Sequence, residues 1–225
     1  LYTLLAEKNT PEVNIITVEE PVEIRIPGLN QVQVNAKAGM TFASGLRSIL
    51  RQDPDIILVC EIRDGETAEI AMRAAITGHL VFSTIHTNDA VSSINRLVDM
   101  GLEPYMVSSA LVGVVAQRLV RRICTNCRKP YDADQDIIQQ FNFEPGQKLY
   151  KGEGCTDCNG SGYKGRIAIH EVVVITKGMK VLLEKRAPEE DMRQLAVKEG
   201  TQMLMDSALS LVVEGITTLA EANRV

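Results

Sequence analysis

The sequence predicts an α/β fold on a mainly parallel sheet, carrying a small cysteine-rich insert and ending in a helical segment. Short aliphatic runs alternate with amphipathic stretches as far as about residue 122, the pattern of strands joined by covering helices. From Ile123 to Arg166 the composition turns to Gly, Asp, Asn and Cys, with no long periodic run. Beyond Pro188 helical spacing takes over. The expected organisation is an α/β core over 1–122, a tetracysteine insert over 123–166 and a strand with a helical subdomain over 167–225.

The elements follow in order. The first residues read as the middle of a helix, and Leu1 follows no methionine, so the expectation is a chain that continues upstream. Asn14 to Val18 is a β-branched run that ends in Glu19 and Glu20. Glu23 to Ile26 and Gln31 to Asn35 alternate apolar and polar around Pro27-Gly28, which predicts a hairpin or a pair of edge strands. Thr41 to Gln52 places Phe42, Leu46, Ile49 and Leu50 on one helical face. Asp55 to Cys60 is an apolar core strand reaching Glu61, and Asp64 caps a helix that Gly78 closes. His79 to Ile85 is a further strand, followed by the turn His86-Thr87-Asn88-Asp89 and a helix from Asp89 to Met100. Pro104 is expected to open a long helix reaching Arg122. After the insert, Ile167 to Ile175 reads as a strand. The last segment is helical, with Thr218 and Glu221 spaced as a capping box.

Composition narrows the function. The chain has 225 residues, of which 45% are hydrophobic and 24% charged, the balance of an ordered globular protein. A net charge of −5 and only four Phe, five Tyr and no Trp argue against nucleic acid as a partner. The most apolar stretch, Tyr105 to Val120, is broken by Ser108, Ser109, Gln117 and Arg118 and reads as a buried helix, not a bilayer span.

The pairs Cys124-Thr-Asn-Cys127 and Cys155-Thr-Asp-Cys158 can turn four thiolates toward one point, the tetrahedral set of a structural zinc site. Five basic residues and no acid lie between Gln117 and Tyr131, which would offset the negative charge of a tetrathiolate centre. The alternatives are a thioredoxin-like redox pair or unrelated buried thiols. Cys60, inside an aliphatic strand, reads as a buried thiol. His79 and His170 read as structural.

Glu19 and Glu61 end aliphatic strands and His86 follows a third, at the sheet edge where ligands of parallel sheets gather. An aliphatic strand closing in an acid is also how nucleotide hydrolases hold magnesium near phosphate. No G-x-x-x-x-G-K-[ST] motif occurs in the chain, so a phosphate-binding loop is missing from it.

The stretches ITVEEPVE (16–23), LRSILRQDPDIILVCEIRD (46–64), TGHLVFSTIHTNDA (77–90), QRLVRRIC (117–124) and CNGSGYKGR (158–166) closely resemble the type IV pilus assembly and type II secretion motor ATPases, the PilB/GspE group. The resemblance covers essentially the whole chain. It implies a RecA-like core of a P-loop ATPase, beginning just after the phosphate loop and therefore inactive alone. It implies that Glu19 orients or deprotonates the attacking water, that Glu61 acts on magnesium and that His86 senses the γ-phosphate. Arg47 and Arg51 match arginines presented to a neighbouring subunit's nucleotide, and their i, i+4 spacing puts both on the helix face opposite the apolar positions.

The family usually has Asp where Glu20 stands and Gly where Cys60 stands. ATP, Mg2+ and structural Zn2+ are the cofactors implied. The implied setting is a cytoplasmic homo-hexamer, peripheral to the inner membrane, on a platform protein that exports pilins or pseudopilins. The cysteine quartet favours the assembly or secretion branch over the retraction motors. Two other readings stay open: a zinc-binding interaction module without catalysis, and a dithiol oxidoreductase.

Overall fold

The computed structural model describes residues 1–225. In chain order the elements begin with α1 (Tyr2–Lys8), β1 (Ile15–Glu19), β2 (Asn30–Gln33), α2 (Phe42–Ile49), β3 (Ile56–Val59) and α3 (Gly65–Ile76). Next come β4 (Leu80–Ser83), α4 (Ala90–Asp99), α5 (Pro104–Ala110), β5 (Gly113–Ile123), β6 (Arg128–Asp132) and α6 (Gln135–Phe141). The last are β7 (Lys148–Gly152), β8 (Tyr163–Val174), α7 (Lys177–Glu184), α8 (Glu189–Lys198), α9 (Leu204–Val213) and α10 (Leu219–Ala222). The chain divides into two compact units, 1–114 with 174–195 and 115–173 with 196–225. Each unit is discontinuous, whereas the sequence suggested three consecutive segments.

The first unit is built on a parallel sheet of order β2-β1-β3-β4. The two central strands are buried at every position, as continuous aliphatic runs in parallel sheets are. Each enclosed Ile or Val there contributes about 1.5–3 kcal/mol. The hairpin expected around Pro27-Gly28 does not form: β2 runs parallel to β1, and 23–26 forms no strand. The Gln31 side chain occupies that loop, accepting from Ile26 N–H at 2.8 Å and donating to Ile24 C=O at 3.0 Å.

Local chemistry sets the helix starts. Thr41 and Ser44 form a capping box at α2, and Asp89 and Ser92 form one at α4. Asp64 accepts the Thr67 N–H at 2.8 Å to cap α3. Gly65 at that start is required, since a Cβ would stand 2.4 Å from Met100 C=O. Phe42, Leu46 and Ile49 of α2 and Val91, Ile94 and Leu97 of α4 are buried.

The long helix expected from Pro104 to Arg122 is replaced by two elements. α5 ends at Ala110 and the rest is strand β5. Along its first half exposed and half-buried positions alternate, a period of two that the dense apolar content masked.

The second unit holds the antiparallel pair β6 and β7 and the pair β5 and β8. Its core gathers Val120, Leu149, Ile169, Leu204, Ala208, Val212 and Leu219. The expected capping box at α10 is half formed. Thr218 accepts the Glu221 N–H at 3.2 Å, but the Glu221 carboxylate turns away to the Arg121 guanidinium at 2.7 Å and the Arg121 N–H at 2.9 Å.

Candidate functional site

The ends of β1, β3 and β4 are clamped in register. Cys60 N–H donates to Val18 C=O at 2.8 Å, and Ile62 N–H donates to Thr84 C=O at 2.9 Å. The Thr84 hydroxyl adds a bond to Cys60 C=O at 2.6 Å. These bonds extend the sheet past its last strand residues and bring Glu61 beside His86. The imidazole Nε2 lies 3.0 Å from Glu61 Oε1.

Arg63 completes the cluster, with its guanidinium 2.8 Å from Glu61 and 2.7 Å from Glu20. It also sits over the Phe42 ring, 5.9 Å from the centroid. The Arg63 hydrogen bond, with its charge and that of His86, holds the Glu61 carboxyl below the usual carboxylate range against the opposing effect of partial burial. Glu61 is 14% exposed and His86 89%, so the carboxylate is fixed while the imidazole faces solvent.

Glu19 occupies a different setting. It is 1% exposed, and its carboxylate accepts from the Tyr2 hydroxyl, the Thr17 hydroxyl at 2.5 Å and the Gln31 amide at 3.0 Å. The structure thus brings Glu61 and His86 into contact and places Glu19 in a buried network of neutral donors at the neighbouring strand end. Its chain neighbour Glu20 shares Arg63 with Glu61.

Arg47, on the exposed face of α2, and Arg51, just past its end, are both exposed, and each makes a contact within its own chain. Arg47 pairs with Glu66 of α3 at 2.5 Å, and Arg51 folds back to donate to the Arg47 C=O at 3.0 Å. His79 bonds Ala74 C=O at the end of α3, and His170 bonds the Gln117 amide oxygen, both structural contacts.

Sequence reasoning assigned no role to Arg63, Tyr2, Gln31 or Glu66. Arg63 carried a signal: two residues past Glu61 on extended backbone, it shares a face with it. The others are joined to the site by register and packing.

The four cysteines form the second site. Their sulfurs all lie within 4.8 Å of one another, with Sγ–Sγ separations of 3.8 Å for Cys124–Cys155, 3.8 Å for Cys127–Cys158 and 3.7 Å for Cys155–Cys158. A tetrahedron with zinc–sulfur bonds of about 2.3 Å has edges of about 3.8 Å, while a disulfide would need about 2 Å. The donor set therefore fits a metal ion and excludes disulfides in this geometry.

Burial opposes the Cys158 thiolate, yet N–H groups of Cys155 and Gly162 at 3.2 and 3.3 Å aim at its sulfur and, with the neighbouring thiols of Cys155 and Cys127, favour its charged form over theirs. Gly152 and Gly162 let the two knuckles meet, since a Cβ on Gly152 would stand 2.1 Å from Gly162 C=O. The basic cluster expected to balance the thiolates has other partners as well: Arg121 binds Glu221, and Arg128 donates to Gly215 C=O and stacks on Tyr150.

The chain thus joins a parallel α/β sheet, with acids and an imidazole at its strand ends, to a tetracysteine knuckle. Residues 1–224 match the family described as Type II/IV secretion system protein, and the chain belongs to that family. It is 48% identical, over all of its length, to type II secretion system ATPase E of Vibrio cholerae, covering 45% of that protein. It is 47% identical over 98% of its length to the type IV pilus assembly ATPase PilB of Thermus thermophilus, covering 25% of it. The chain thus spans less than half the length of these curated relatives. Among solved structures, the pilus retraction motor PilT with bound ADP matches 99% of this chain and 55% of its own, with TM-score 0.71 and 27% identity. The ATPase DotB of Legionella pneumophila shares the fold at TM-score 0.67 and 21% identity. No helix is long and apolar enough to cross a membrane.

Proposed function

We propose that the chain is the hydrolytic half of an ATP-driven motor that assembles pili or drives type II secretion. The observation that carries this reading is the joining of Glu61, His86, Arg63 and Glu20 into one cluster at the carboxyl ends of parallel strands. Glu61 would hold the magnesium of bound ATP, which supplies charge neutralisation on the phosphates. Glu19 acts as the base that orients or deprotonates the attacking water. His86, exposed and hydrogen-bonded to Glu61, reports on the terminal phosphate by exchanging that bond for one to the phosphate. Arg47 and Arg51 reach a neighbouring protomer's nucleotide once Arg47 leaves Glu66.

Cys124, Cys127, Cys155 and Cys158 hold a structural zinc ion, with no coordination position left for catalysis. The working form is a homo-hexamer in the cytoplasm, docked on an inner-membrane platform protein. A zinc-binding module without catalysis accounts for the cysteines and leaves the strand-end cluster without a role. The test is Glu61→Gln in the full-length protein. Nucleotide affinity is expected to stay within about threefold while turnover falls at least about a hundredfold. Near-normal turnover would remove the motor reading of this site.

A further inference from the structure

We propose that Tyr2 is a positioning residue for the Glu19 carboxylate, holding it through its phenol hydroxyl. This rests on the reading of Glu19 as the base and adds the group that orients it. Glu19 is 1% exposed, and every hydrogen-bond partner it has is a neutral donor. Such a carboxylate takes its direction from its donors alone, because no cation is there to anchor it.

The donors differ in kind. Thr17 stands two residues back on the same strand, so it moves with Glu19. The Gln31 amide is shared with Ile24 C=O, and its oxygen is taken by Ile26 N–H, so Gln31 also serves the loop between β1 and β2. Tyr2 alone approaches from a helix. Its hydroxyl donates to Glu19 and accepts the Glu23 N–H at 3.2 Å, which uses both capacities of the oxygen and joins α1, the acid and the segment after β1.

Tyr2 also carries a signature of that contact. Burial, reinforced by the bond to Glu19 and by its negative charge, pushes the phenol above its ordinary value of 10.0. The phenol therefore reports on Glu19 without any turnover, and the two can be read separately.

The experiment compares the full-length protein with its Tyr2→Phe and Glu19→Gln variants. Tyr2→Phe removes one hydroxyl, keeps the ring in place and is expected to lower kcat about tenfold, the effect of losing a hydrogen bond to a charged group. KM for ATP should stay within about twofold, because no substrate contact is lost. In a spectrophotometric tyrosine titration, the step absent from Tyr2→Phe should fall at lower pH in Glu19→Gln than in the unmodified protein.

Unimpaired kcat in Tyr2→Phe alongside lost turnover in Glu19→Gln would overturn the positioning role and leave Glu19 as the base. Normal turnover in Glu19→Gln would overturn both. A tyrosine titration that Glu19→Gln leaves unchanged would overturn the contact itself, whatever the kinetics.

Discussion

His86 Nε2 rests 3.0 Å from Glu61 Oε1, although the two residues follow different strands of the parallel sheet. The contact exists because β3 and β4 pair in register from Ile56 with Leu80 to Val59 with Ser83, and the backbone stays paired one step beyond. The fixed carboxylate and the exposed imidazole make an exchangeable bond at the place where a ligand of this sheet would arrive.

Arg63 keeps two acids in one small space. Without its charge Glu20 and Glu61 repel, while the fold loses only a partly exposed ion pair. Arg63→Gln is therefore expected to leave stability nearly unchanged and to lower turnover by at least about tenfold. Denaturant midpoints and steady-state rates check the two effects separately. Unchanged turnover would reduce the cluster to a solvated sheet edge.

Arg47 and Glu66 form an exposed pair, so breaking it costs little. Glu66→Gln should shift stability by no more than about 0.5 kcal/mol and leave turnover near normal. Arg47→Ala should abolish most turnover, with partial recovery when mixed with Glu61→Gln protomers, if the arginine serves a neighbour's nucleotide. Activity assays on mixed oligomers decide this, and no recovery would assign Arg47 a role within its own protomer.

Metal removal should loosen the knuckle and spare the parallel sheet. A strong chelator is expected to release one zinc ion per chain and to expose amides over 123–166, while those of β1 and β3 stay protected. Hydrogen exchange with metal analysis reads both. Equal protection of 123–166 with and without metal would refute a structural ion. Gly152→Ala should mimic chelation, because its methyl group would meet Gly162 C=O.

Glu221 predicts a pH dependence. The Arg121 guanidinium bond, helped by the Arg121 N–H and by Arg224, outweighs burial and draws the Glu221 carboxyl down to about 2 from an ordinary 4.5. A lowered folded-state pKa stabilises fully above the unfolded value and fades as pH falls from 4.5 toward about 2. Glu221→Gln should cost about 2 kcal/mol at neutral pH and flatten stability across that acid window. Urea unfolding at a series of pH values measures both, and an unchanged slope would show that Glu221 does not govern it.

Much of this protein was legible before any coordinates. The aliphatic runs ending at Glu19 and Glu61 became the central strands, because a strand buried on both faces needs no alternation to be recognised. Asp64 and Asp89 took the cap positions that their place before an apolar-periodic run suggests. The cysteine spacing foretold a four-sulfur cluster, because a two-residue spacer brings each pair together locally.

Where the reading failed, the local pattern was degenerate. The stretch after Ala110 has enough apolar residues to satisfy a helix or a strand, and its pairing with β8 makes it a strand. The segment around Pro27 alternates like a strand, but Gln31 fills its hydrogen bonds from the side.

The sequence by itself determined which residue types stand at the strand ends and how the thiols are grouped, since both depend on neighbours along the chain. Only the tertiary structure decided that Arg63 bridges Glu20 and Glu61, that Arg47 rests on Glu66 and that Tyr2 reaches Glu19. Those contacts join residues from separate elements, and their distances are set by strand register and helix packing, which local sequence does not encode.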